Sequence, residues 1–418
     1  MKADEDTSMD ETTRDDVIVV GGGMVGSALA ALLGEAGLSV TVLDARPAPL
    51  THENVGHGLP APRVSALTPV SQRLLTHLGA WPWIAERRVS PYQGMRVWDG
   101  EGSGEIAFAA ADIGLRELGH IVENDVILAA LEARLEALPS VTQRFGARVT
   151  GLARAADAQE VTLDDGSRWT APLVVAADGA RSPLRHLAGI DVSERDTGHV
   201  ALVTTLRCEH GHGGVARQVF LPDGPLAFLP LRVEEDDRHC SIVWSTRPEH
   251  AERLLALSSE AFAQALGDAM EGRLGKIEVL DDVHHFPLTQ RHAREYTAPG
   301  LALIGDAAHS IHPLAGQGVN LGFLDAAVLA EEIIHARQRG VALGDARTLA
   351  RYARRRRGDN AAMLALMDGF RLLFGAKHPA LRLIRNVGLS STDKLMPLKR
   401  TMIRQAAGER GELPAVCR

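Results

Sequence analysis

The sequence predicts an α/β fold: a Rossmann-like domain on a parallel sheet, with a separate β-sheet domain inserted into it and a helical C-terminal region. Three observations carry that expectation. The β-branched run Val17–Val20 enters the turn Gly21-Gly22-Gly23-Met24-Val25-Gly26, which opens an apolar helix. Two more short apolar runs, at residues 173–177 and 301–304, each lead into a polar residue paired with glycine. Between them, over residues 197–288, the pattern changes to alternating strands such as 217–221 and 240–244, punctuated by proline and glycine.

The opening segment reads as a βαβ unit. Four β-branched residues in a row suit a strand buried on both faces, and a helix at 24–34 and a second strand at 39–43 follow. In the turn, Gly21 permits the sharp change of direction, Gly23 lets a pyrophosphate approach the backbone, and Gly26 packs helix on strand. The helix N-terminus then faces the phosphates. Asp44, at the end of the second strand, is placed to bind the ribose hydroxyls of an adenosine. By itself this motif serves NAD and FAD equally.

Arg63, in Arg63-Val64-Ser65-Ala66-Leu67 before a helical stretch at 71–78, is a planar, permanently charged donor suited to a pyrophosphate; a surface salt bridge is the alternative. A strand end next runs into Ala177-Asp178-Gly179-Ala180-Arg181-Ser182-Pro183-Leu184-Arg185. A third runs into Gly305-Asp306-Ala307-Ala308-His309, then through Pro313 to Gly316-Gln317-Gly318-Val319-Asn320. In this third segment the aspartate can bind ribityl hydroxyls. The glycines leave backbone N–H groups free to face a flavin ring, where they stabilise negative charge.

Bulk properties narrow the class. With 418 residues and 45% hydrophobic composition the chain can bury a large core and holds two or three domains. A net charge of -8 argues against nucleic acid, whose binding needs a basic surface. Cys208, Cys240 and Cys417 are too scattered for a disulfide framework, which fits a reducing cytoplasm. Residues 1–15 are acidic, the reverse of a signal peptide, and read as a disordered extension. No apolar run approaches the roughly 18 residues of a spanning helix, so any membrane contact is expected to be peripheral. Arg354, Arg355, Arg356 and Arg357, with Lys399, Arg400 and Arg404, read as a solvated helix face or as an attraction for anionic lipid headgroups. His309 and His312 share a loop and lack the helical i, i+4 spacing of a metal site, so no metal is expected.

Together the three glycine-bearing segments resemble the glycine, Asp-Gly and Gly-Asp fingerprints of the class A flavoprotein monooxygenases. The likeness to the ubiquinone-biosynthesis hydroxylases of that family runs from residue 16 to about residue 408, through Gly119-His120-Ile121-Val122-Glu123-Asn124, Phe286-Pro287-Leu288-Thr289 and Pro313-Leu314-Ala315-Gly316-Gln317-Gly318. Within the group, Val215-Ala216-Arg217-Gln218-Val219-Phe220, Cys240-Ser241-Ile242-Val243-Trp244 and Gly94-Met95-Arg96-Val97-Trp98 resemble the hydroxylases that act on 2-polyprenylphenol at ring carbon 5. The family more often has glutamate where Asp44 stands, which keeps the carboxylate but shortens its reach.

The resemblance implies a glutathione-reductase-type FAD-binding domain assembled from residues 16–90, 118–190 and 290–345. It also implies a substrate sheet domain from 91–117 and 191–289 and helices over 346–418. Gly21, Gly23, Gly26 and Asp44 would hold the ADP part of FAD, and Arg63, Asp178 and Gly179 would flank the pyrophosphate. Asp306 would take the ribityl chain, and Gly318, Val319 and Asn320 would lie against the flavin ring, beside a flavin-facing loop of Pro313, Gly316 and Gln317. The implied reaction uses NADH or NADPH and O2 to hydroxylate a prenylated phenol, with no dedicated nicotinamide domain and no evident general base. The place implied is the cytoplasm, peripherally at the inner face of the membrane, with other enzymes of ubiquinone biosynthesis as partners. Phe220, Leu226, Phe228 and Leu229 are candidates for an apolar wall that keeps water from the flavin.

Overall fold

In the computed structural model, which describes residues 13–53, 55–310, 318–375, 396–409 and 411–418, a six-stranded sheet organises the first domain. Its order is Thr297–Ala298, Leu301–Leu303, Leu173–Ala176, Val17–Val20, Val40–Asp44 and Val141–Phe145. All neighbours are parallel except the first pair. Val17–Val20 is buried along its whole length, as its unbroken β-branched composition requires of a strand covered on both faces. Helix Met24–Glu35 buries every residue from Gly26 to Gly34, because the sheet lies on one side of it and helices Asn124–Glu136 and Gly318–Gln338 on the others.

The three motif-bearing strands, far apart in sequence, are neighbours here. Val20 stands level with Ala176, and Ala176 with Leu303, so all three strands end at one edge of the sheet. Ligands of open α/β sheets bind at the C-terminal ends of the strands. Gly21, Asp178 and Gly305 therefore leave the sheet side by side.

A nine-stranded, mostly antiparallel sheet forms the second layer, with strands drawn from Gly94–Asp99, Glu105–Ala109, the region 192–293 and the pair His309–Ser310. Helices Pro248–Leu255 and Ser259–Ala269 cover one face, burying Trp98, Leu226, Phe228 and Trp244. The opposite face carries Leu229, Ser241 and Thr205 and meets the first domain: Ser241 Oγ and Thr205 Oγ1 each donate at 3.0 Å to the carbonyls of Pro62 and Pro60. This divides the four residues expected to form the apolar wall. Phe220 packs with Val97 and Ile106, and Leu229 with Ala66 and Tyr92, on the face toward the first domain. Leu226 and Phe228, of opposite parity along their strand, are core beneath the covering helices.

Two other expectations are corrected. Thr13–Arg14, within the stretch read as disordered, pairs as a parallel strand with Trp169 and Thr170. Just beyond, Asp15 accepts a hydrogen bond from Thr41 Oγ1 at 2.7 Å, and Asp16 exchanges two bonds of 2.9 Å with Ser39. The basic residues are in part internal wiring rather than a wholly solvated face: Arg356 is 3% exposed, Arg355 pairs with Glu331 at 2.7 Å, Lys399 with Asp112 at 3.2 Å, and the exposed Arg400 donates to the Asp112 carbonyl. Arg354, Arg357 and Arg404 are exposed as well, with Arg357 Nη1 3.8 Å from a Glu295 carboxylate oxygen. No described helix is long and apolar enough to cross a membrane.

Candidate active site

The glycine turn shows why each glycine stands where it does. Gly21 has φ +103°, and a Cβ there would lie 2.3 Å from the Ala177 carbonyl oxygen. A Cβ on Gly26 would lie 1.9 Å from the Gly21 carbonyl oxygen, so helix and strand touch through bare backbone. Gly23 differs: its φ of -72° is ordinary, and no atom of the described residues lies within 4 Å of where its Cβ would be. Its missing side chain leaves open space at the helix N-terminus, which is the cradle a pyrophosphate requires.

Asp44 is 8% exposed and already closes the turn. Its Oδ2 accepts from Gly22 N at 2.7 Å and its Oδ1 from Arg46 N at 2.7 Å. Arg46, which sequence reasoning missed, grips the same carboxylate, donates to the Gly22 carbonyl at 3.0 Å, pairs with Glu132 at 2.8 Å and stacks over Phe145. The signal was an arginine two residues past the strand end. Its partner Glu132, on a distant helix, gave none.

On the second strand end, Asp178 caps the helix Pro183–Leu187 by accepting from Leu184 N at 3.0 Å through Oδ2. Its Oδ1 is buried and has no hydrogen-bond partner among the described residues, which suits it to a hydroxyl donor. Burial pushes this carboxyl above the usual aspartate range, against the lowering effect of Ser182 and the Leu184 amide. Gly179 follows with φ +83°, and Arg185 ties this segment to the third by donating to the carbonyls of Ala180 and Ala307 at 3.0 and 2.8 Å.

Asp306 is solvent-exposed, yet protein crowds it enough to raise its pKa by desolvation, opposed by His309 and Arg63. Exposure and crowding coexist when a side chain projects into a cleft. Its neighbours Gly305 and His309 are buried and fixed by Asp325. Arg63 is exposed at the same cleft, with its guanidinium over the Phe286 ring at 5.7 Å. Phe286 itself is 40% exposed, an apolar surface next to charged groups.

Gly318 and Val319 begin the helix Gly318–Gln338, half-buried. The Asn320 side chain is bonded within the protein. Its Oδ1 accepts from Thr68 N at 3.0 Å and Ser71 Oγ at 2.6 Å, and its Nδ2 donates to the Ala66 carbonyl at 2.8 Å. It fastens the helix N-terminus to the segment that follows Arg63. Asn320→Ala leaves three buried polar groups without these bonds and is expected to lower stability by about 2 kcal/mol or more; urea denaturation of the FAD-free protein measures this. Pro313, Gly316 and Gln317 lie outside the described residues, and no cluster of metal-ligating side chains occurs among the described ones.

The site therefore offers an open backbone cradle at Gly23, an unsatisfied acceptor at Asp178 and a carboxylate projecting from Asp306, all at one sheet edge. These fit the diphosphate and polyol of FAD. Residues 14–365 match the family described as FAD binding domain, and the chain belongs to that family; it is an FAD-dependent monooxygenase. Its relatives include the 3-demethoxyubiquinol 3-hydroxylase of Escherichia coli, at 40% identity over 94% of this chain and 98% of the relative. They also include the ubiquinone hydroxylase UbiL of Rhodospirillum rubrum, at 38% identity with 94% and 89% covered, and the mitochondrial ubiquinone biosynthesis monooxygenase COQ6 of Homo sapiens, at 34% with 92% and 90% covered. The fold is shared with the p-nitrophenol 4-monooxygenase PnpA from Pseudomonas putida DLL-E4, at a TM-score of 0.76 and 23% identity, covering 96% of this chain and all of that one.

Proposed function

We propose that the protein hydroxylates the ring of a polyprenylated phenol or quinol in ubiquinone biosynthesis, with NADH or NADPH and O2 as co-substrates, and that it acts at ring carbon 3 of a 3-demethoxyubiquinol. The observation that supports this is the convergence of Gly23, Asp178 and Asp306 on one sheet edge. The Escherichia coli relative, matched over almost its whole length, supports the ring position. FAD, when bound, supplies the hydride-accepting and oxygen-activating chemistry.

The chain's own residues bind, orient and exclude water. Gly23 and the helix N-terminus receive the diphosphate, Asp178 and Asp306 accept hydroxyl donors, and Arg63 adds positive charge at the cleft. Phe220 and Leu229, on the sheet face toward the first domain, supply the dry wall that oxygen chemistry needs. A prenyl tail would keep such a substrate in the bilayer, which supports peripheral contact with the inner membrane face.

A second reading, ring carbon 5 of 2-polyprenylphenol, has its own support. The segments that resemble those hydroxylases, 94–98, 215–220 and 240–244, all lie in the nine-stranded sheet, and the first two pair directly. Mass spectrometry of products from defined prenylated 3-demethoxyubiquinol and 2-polyprenylphenol, each presented in detergent, separates the two. The quinol is expected to gain one oxygen. Hydroxylation of the phenol alone would establish the second reading, and NAD(P)H oxidation with no hydroxylated product from either would refute both.

A further inference from the structure

Asp325 has no exposed surface, and charged and polar groups converge on it from three parts of the chain. Its Oδ2 accepts from the backbone N–H of Gly305 at 3.0 Å and from His309 Nε2 at 2.5 Å, which places a proton on that ring nitrogen. Its Oδ1 accepts from Arg356 Nε at 2.8 Å and Asn360 Nδ2 at 3.1 Å. The remaining nitrogens of Arg356 donate to the Leu321 carbonyl, Asn360 Oδ1 and Asp359. Tyr296 completes the cluster, stacking on the His309 ring at 6.0 Å and accepting from Asn360 through its hydroxyl. Burial alone would raise the Asp325 carboxyl, but His309 and Arg356 outweigh it and hold the group ionised, at about 2.

The two residues bound through Oδ2 stand on either side of Asp306. Gly305, at φ +57°, precedes it, and His309 ends the turn three residues later. Both ends of the turn are thus fixed by one buried carboxylate, while Asp306 between them is exposed. Arg356 belongs to helix Ala346–Gly375, which contributes no residue to the motifs at the strand ends.

We propose that Asp325 is the positioning residue for Asp306: with His309 and Arg356 it clamps both ends of the turn, and through Arg356 it makes helix Ala346–Gly375 a structural part of the FAD site. The proposal rests on the reading of Asp306 as a ligand of FAD. Replacing a buried ion pair by neutral side chains of similar size is often neutral for stability. Positioning and folding are therefore separable.

The test compares the parent with Asp325→Asn/Arg356→Met, Arg356→Met and Arg356→Lys. It measures the FAD dissociation constant by fluorescence titration, the visible circular dichroism of bound flavin, and the thermal midpoint without FAD. The double variant is expected to keep a midpoint near that of the parent, to bind FAD at least tenfold more weakly and to alter the flavin dichroism. Arg356→Lys is expected to stay within about threefold of the parent, because it preserves the charge next to Asp325. Unchanged affinity and dichroism in the double variant would overturn the proposal. Should that variant fail to fold, the single substitutions decide: a clear separation between Met and Lys in FAD affinity supports the clamp, and equal affinities overturn it. Retention of FAD by Asp306→Ala would instead remove the reading underneath.

Discussion

Asp306→Ala is expected to fold normally and to purify almost free of FAD. The carboxylate stands on a turn whose two ends are held by Asp325, and it is exposed, so its removal takes away little packing. Stability of the FAD-free protein should change by no more than about 0.5 kcal/mol. In the proposed role, what is lost is an acceptor for ribityl hydroxyls. Hydrogen bonds to a charged group contribute about 1.5–3 kcal/mol, which weakens binding roughly ten- to hundredfold. The ratio of flavin to protein absorbance after gel filtration reads this directly, and a variant that remains fully yellow contradicts the assignment. The same carboxyl sets a pH dependence. Because crowding raises its pKa, acidification neutralises it sooner than an ordinary aspartate, so FAD release from the parent should begin at a correspondingly higher pH.

The glycine turn gives the second large effect, as a contrast between neighbours. Gly26→Ala places a methyl 1.9 Å from the Gly21 carbonyl oxygen, backbone against backbone, where no rotamer change can relieve it. The helix must lift from the strand, at a cost of about 1–3 kcal/mol or more, and both thermal stability and FAD binding should fall. Gly23→Ala meets no atom of the described residues within 4 Å and has an ordinary φ, so the fold should be unaffected or slightly stabilised. Its methyl nevertheless fills the space at the helix N-terminus. FAD affinity should drop at least about tenfold, or about 1.4 kcal/mol, with the thermal midpoint of the FAD-free protein unchanged. Equal losses of stability in the two variants would mean that the space beside Gly23 is not the diphosphate cradle.

The sequence made the βαβ opening legible because a parallel strand buried on both faces is written as an uninterrupted run, as in Val17–Val20. It also announced Asp178 and Asp306, since each follows such a run and sits beside a glycine. It was silent on what holds them. Asp325 lies in the middle of an apolar helix and Arg356 in a string of arginines, and only their meeting across 31 residues distinguishes either from its neighbours. The apolar wall was half legible for a related reason. Alternation reveals the faces of a strand only when one of them is wet, and the strand Gly224–Val233 is covered on both sides. Leu226 and Leu229 therefore look alike in sequence while facing opposite ways. Asn320 shows what motif reading leaves out, because nothing in the motif announces that its side chain also bonds Ala66, Thr68 and Ser71.

The two-residue strand His309–Ser310 pairs with Arg291 and His292 at the rim of the nine-stranded sheet, directly after the turn that carries Asp306. The two layers consequently cannot be traded between relatives as interchangeable modules. A chimera joined near residue 289 would divide a strand that runs from His284 to Ala293 and would pair a foreign edge with the native turn, disturbing the cofactor site even if every ligand of FAD were kept. A successful graft has to carry residues 284–310 as one piece.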